Sequence, residues 1–148
     1  MKKFFKYITI LFLIFTLSAG LLSNKTAPVK YTMTATKYFA GDGCGFVMAC
    51  GDKINVRHVE KWIVRDVALS PDMYDNHGFN FYDTIYVESD NRLIKGKWVV
   101  KDKTAKRFRK RIDFLMTRNN SKNFNKEKVK IYLIGKYKEP KKKNKKKK

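Results

Sequence analysis

A small, mainly β barrel is the fold this sequence predicts, on three observations. Short segments alternate or are rich in β-branched and aromatic residues, clusters of turn formers separate them, and no long stretch repeats every 3.6 residues. Five or six such strands would expose reactive edges in an open sheet, and closure removes them. The 148 residues suit one domain, and 43% apolar with 14% aromatic residues supply a core.

The elements follow in order. "MKKFFKYITILFLIFTLSAGLLSNK" sets a cationic start before an uncharged run from Tyr7 to Asn24. That is the pattern of an export signal, so residues 1–28 are expected to be a cleaved signal peptide or a retained anchor, with everything after them outside the cytoplasm. A retained segment would hold the chain to the inner membrane through residues 7–22. Leu17-Ser18-Ala19-Gly20 is similar to a lipoprotein box, but Leu21 stands where the acylated Cys would be.

Residues 29–135 form the predicted barrel domain. "YTMTATKYF" alternates, "WIVRDVAL", "TIYVE" and "GKWVVK" follow, and "KVKIYLI" closes it with Val129, Ile131 and Leu133 on one face. "GDGCG", "SPD", "DNHG" and "SDN" are the breakers between them. After Pro140 nothing is apolar, so residues 136–148 read as a disordered Lys-rich tail.

The net charge of +21 is concentrated. Much of it is in the tail and the cationic start, and within the barrel region Lys101 to Arg111 is the basic block, with Asp102 its one acid. Outside the cytoplasm such charge meets peptidoglycan or another anionic cell-wall polymer, and nucleic acid is set aside. Cys44 and Cys50 are candidates for a disulfide in that compartment; a Cys-x5-Cys spacing without His makes a poor metal site. His58 and His77 have no motif around them, and no hydrolase elbow, phosphate loop or dinucleotide fingerprint is present. Neither metal nor cofactor is expected.

Asp102 and Asp113 draw attention because both adjoin apolar strand residues, where an unpaired carboxylate is costly. They are either counter-ions to Lys103, Arg107 or Arg111, or they are used. In chain order, "TMTATKYF", "FVMACGDKIN", "VALSPDM", "FYDTIYVES" and "GKWVVKDKTAKRFRKRIDFLM" resemble the successive motifs of bacterial 3D domains, a family named for three aspartates. The likeness covers about Tyr31 to Met116 and extends to the strand ending at Ile134. It is most specific where an Asp closing a strand is followed eleven residues later by Ile112-Asp113-Phe114.

The resemblance implies a six-stranded double-psi β-barrel, similar to rare-lipoprotein-A-like domains and to the barrel of membrane-bound lytic transglycosylase A. It implies an exported protein that cleaves peptidoglycan glycan strands as a lytic transglycosylase. Its three aspartates map to Asp72, Asp102 and Asp113, with Asp113 as acid and then base and the other two positioning it and the sugar. Lys103, Thr104, Arg107 and Arg111 would line the substrate. Where many relatives carry Asp-Thr-Gly-Gly or Asp-Thr-Met-Asn, this chain has Asp102-Lys103-Thr104-Ala105. The alternative is a barrel that binds wall glycan or a wall enzyme without cleaving anything. An arginine on Asp113 would hold it ionised and favour that alternative.

Overall fold

A computed structural model describes residues 27–42 and 45–136. Most of the expected export segment, nearly all of the expected tail, and Cys44 lie outside the described residues. Among the described residues no helix is long and apolar enough to cross a membrane.

Six strands, β1 (Tyr31–Phe39), β2 (Asp66–Leu69), β3 (Thr84–Glu88), β4 (Gly96–Lys103), β5 (Arg111–Met116) and β6 (Glu127–Gly135), close into a barrel in the order β1-β5-β2-β4-β3-β6. β1 runs parallel to β5 and β2 parallel to β4, and the other four pairings are antiparallel. Exchanging β1-β2-β3 with β4-β5-β6 reproduces every pairing, so the two halves are related by a pseudo-twofold axis. That axis crosses the wall at the Ala68/Asp113 pair and, on the opposite side, at Val87/Ile131. The two interleaved parallel crossovers make this a double-psi β-barrel.

The core follows the same symmetry. Met33 and Trp98, Ala35 and Val100, Ile112 and Val67, and Phe114 and Leu69 occupy equivalent positions, all 0–1% exposed. Trp98 packs edge-on against Phe114 at 4.6 Å between centroids, and its indole N–H donates to the Ile94 carbonyl at 2.7 Å. Each of the Val, Leu, Ile, Met and Phe side chains among them contributes about 1.5–3 kcal/mol by leaving water. A satellite cluster of Met48, Val59 and Leu115 covers part of the outer wall.

One irregularity re-aims a key residue. Simple alternation puts Asp102 on the face of Trp98 and Val100, yet Val67 pairs with Val100 while the next residue, Ala68, pairs with Asp102. The extra residue in β4 is a β-bulge, and it turns Asp102 to the outer face that Ala68 shares.

Two short helices correct the turn assignments. "SPD" and "DNHG" are not separate breakers but the ends of a helix, Pro71–His77, which we call α2. Extended Ser70 precedes it, Pro71 opens it, and Gly78 closes it in the left-handed region at φ 66°, with its N–H on the Met73 carbonyl. The other helix, α1, is Val56–Glu60, capped by the Asn55 side chain, which accepts from the His58 N–H. β2 starts four residues later than "WIVRDVAL" suggests, because Trp62 takes φ 56° and Ile63 is 63% exposed.

Candidate functional site

The register aligns Thr36 of β1, Asp113 of β5, Ala68 of β2 and Asp102 of β4 in one row. Adjacent strands are about 4.8 Å apart, so the backbones at the two acids are separated by roughly 10 Å, with a single methyl group between them. Thr36 and Asp102 are equivalent under the pseudo-twofold axis, as are Ala68 and Asp113. The second half of the chain thus carries acids where the first carries small neutral residues.

Asp113 is 9% exposed. Thr36 Oγ1 donates to its Oδ1, and Arg111 Nε donates to the same oxygen at 2.7 Å while lying 3.1 Å from Thr36 Oγ1. The Arg111 guanidinium also covers the Phe108 ring at 3.8 Å, with Arg107 over the same ring at 4.7 Å. Arg111 is thus a counter-ion of Asp113.

Asp102 is held differently. Its Oδ1 accepts the backbone N–H groups of Ala49 and Lys103, each at 2.9 Å, and its carbonyl accepts the Tyr74 hydroxyl at 2.7 Å. Burial pushes the Tyr74 hydroxyl far above its ordinary pKa, so it remains a neutral donor. The Asp102 carboxylate thereby ties the loop that approaches the barrel at Ala49 to β4.

Asp72, read from the sequence as a turn residue, sits in the first turn of α2 and is 8% exposed. Its Oδ2 accepts the Lys110 N–H at 3.0 Å. Lys110 needs that help, because φ 46° is strained for a residue with a Cβ. Next to it, Arg111 N–H donates to Ser70 Oγ at 2.9 Å, and Ser70 N–H returns a bond to the Arg111 carbonyl at 2.9 Å. Asp72 and Ser70 therefore set the backbone that presents Arg111 to Asp113. Asp72 and Asp113 meet at this one segment, while Asp102 stands across β2.

The predicted substrate rim divides. Lys103 lies over the Tyr74 ring at 4.4 Å, and Thr104, 8% exposed, has a hydroxyl with no hydrogen-bond partner among the described residues. Both line an open cavity of about 540 Å³ together with Pro71, Asp75, Lys106 and Arg109. Arg107 and Arg111 instead flank Phe108. His58 is exposed on α1, and His77 packs against Tyr31 at 4.7 Å. Cys50 is a half-buried free thiol, and the pairing expected with Cys44 involves a residue outside the description.

Sequence reasoning missed Thr36 and Ser70, whose partners are 77 and 41 residues away. It also missed a charged group beside the row: Lys101 Nζ lies 3.1 Å from Asp52 and 3.7 Å from Asp66, which is 4% exposed. Burial, partly offset by Lys101, pushes the Asp66 carboxyl above its ordinary pKa. The unfolded chain therefore loses this proton first as pH rises, and folding stability falls from the ordinary carboxylate range up to the folded value. Asp66→Asn should remove that fall. Melting curves from pH 3 to 7 should show the variant gaining on the wild type as pH rises; a gain that shrinks would refute the assignment.

No family model matches the sequence, and no curated protein matches it significantly. Among solved structures, the Streptomyces papain inhibitor superposes with a TM-score of 0.50 at 15% identity, over 72% of this chain and 94% of that one. The apo expansin of Clavibacter michiganensis gives 0.49 at 13% identity, over 76% of this chain and 54% of its own. The first of these likenesses supports the barrel fold and nothing further.

Proposed function

We propose that this is an exported barrel that binds peptidoglycan, gripping the anionic wall polymer with the basic Lys101–Arg111 segment. The substrate class comes from the resemblance to 3D domains together with the export signal and the charge. The observation that carries binding over cleavage is the Arg111–Asp113 ion pair at 2.7 Å. Arg111 and the Thr36 hydroxyl both engage Oδ1 of Asp113, so that oxygen is used to hold the strand face together and not to meet a glycosidic oxygen. Thr104, Lys103, Lys106 and Arg109 supply an unsatisfied hydroxyl and three cations to an adjoining cavity, suited to a carboxylate on the polymer.

Co-sedimentation with purified sacculi tests this. Wild type should pellet, less so as salt rises, and Lys103→Ala and deletion of residues 141–148 should each lower the pelleted fraction without shifting the melting temperature. Salt-independent pelleting, or none, would refute the reading.

The second reading is lytic transglycosylase chemistry at Asp113. It draws on one feature: both bonds described for Asp113 fall on Oδ1, leaving Oδ2 out of them. In that reading Oδ2 gives its proton to the leaving glycosidic oxygen. The muramic acid 6-hydroxyl then attacks C1 and returns a proton to Asp113, forming a 1,6-anhydro ring without water.

A further inference from the structure

The opposite pole of the barrel, where the pseudo-twofold axis leaves between β3 and β6, carries a separate open groove of about 660 Å³. Its floor includes Tyr86 and Tyr132, cross-strand partners whose rings stack at 5.4 Å and 25°. Three acids, Glu88, Asp90 and Glu127, and three lysines, Lys95, Lys128 and Lys130, line it. Lys30 pairs with Glu88 at 2.6 Å and stands 5.5 Å from the Tyr132 ring centre, so on a chain of net charge +21 this groove is close to balanced and does not select a polyanion.

Its hydrogen bonding is incomplete in one direction. Ser89 Oγ lies 3.3 Å from Glu127 Oε2, and Glu127 Oε1 is sheltered from solvent yet accepts no hydrogen bond from any of the described residues. A sheltered carboxylate oxygen without a donor is costly, and a ligand hydroxyl would satisfy it. A flat aromatic pair, balanced charge and an acceptor awaiting a donor together describe a site for a neutral, hydroxyl-rich ring.

We propose that this groove is a second saccharide site, which takes a neutral pyranose of a glycan strand against the Tyr86/Tyr132 pair with a sugar hydroxyl donating to Glu127 Oε1. The choice of a glycan rests on the wall-binding reading, but the site is independent of Arg111 and Asp113. Two poles would then hold one strand by different chemistry, charge at one and ring contact at the other.

The probe is chitotetraose, a neutral N-acetylglucosamine oligomer, titrated into the ¹⁵N-labelled protein. Amide shifts should concentrate at residues 86–90 and 127–132. Tyr132→Leu, which removes the flat ring, and Glu127→Leu, which removes the acceptor, should each weaken binding about tenfold, the equivalent of about 1.4 kcal/mol. Tyr132→Phe should bind like wild type and guards against loss of fold. Lys103→Ala should leave chitotetraose binding unchanged while it lowers sacculus pelleting, which separates failure of the charged face from failure of this groove. No shifts at millimolar sugar, shifts confined to residues 101–113, or a Tyr132→Leu protein that binds normally would overturn the proposal.

Discussion

Asp113→Asn is expected to lose about 2–4 kcal/mol of folding stability, because it leaves the partly buried Arg111 guanidinium without its counter-ion. For a domain of this size that is a fall of about 10–20 °C in melting temperature. The Arg111 side chain is 25% exposed and that of Asp113 12%, so solvent screens the pair only in part. Thr36 would keep a partner in the new amide oxygen, and the loss should therefore be specific to the charge. Adding Arg111→Met should restore most of the stability, since a neutral pair has no charge to strand. If Asp113→Asn melts like wild type, the pair is not structural.

Trp98→Ala should cost about 3–5 kcal/mol, the range for removing a large buried aromatic. The indole fills the barrel against Phe114, and Arg65 lies 4.3 Å from its ring centre. Its removal opens a cavity, leaves the Ile94 carbonyl without its donor and exposes the Arg65 stack. Trp98→Phe should cost distinctly less. Chemical denaturation of both variants checks this, and a loss under about 1 kcal/mol for the alanine variant would mean the core does not depend on this residue.

Particular residues show how far the sequence reveals this architecture. The alternation in Tyr31–Phe39 marks β1 with its observed bounds, because one face is buried against the core and period two is then compulsory. "TIYVE" marks β3 for the same reason. The helix at Pro71–His77 is hidden because Ser-Pro-Asp opens turns and helices alike, and only Met73 reaching the core decides between them. The orientation of Asp102 is hidden by one extra residue in β4, which no periodicity reveals.

The site is legible in part. Arg111 stands two residues from Asp113 in one strand, so a counter-ion among the neighbouring cations is foreseeable from sequence. Thr36 is not, since only the parallel β1–β5 crossover brings it there. Nor is the Tyr86/Tyr132 pair, whose members lie on strands separated by most of the second half of the chain. Local chemistry is written locally, while the groups that decide what Asp113 can do arrive through topology.

The most direct test of the central claim, that Asp113 is the counter-ion of a binding face, is a muropeptide profile of sacculi incubated with the purified protein. The protein should remain bound to the sacculi and release no 1,6-anhydro-ended fragments above the untreated control. Release of such fragments by the wild type, abolished in an Asp113→Asn protein shown to be folded, would contradict it and establish Asp113 as the acid and base of a lytic transglycosylase.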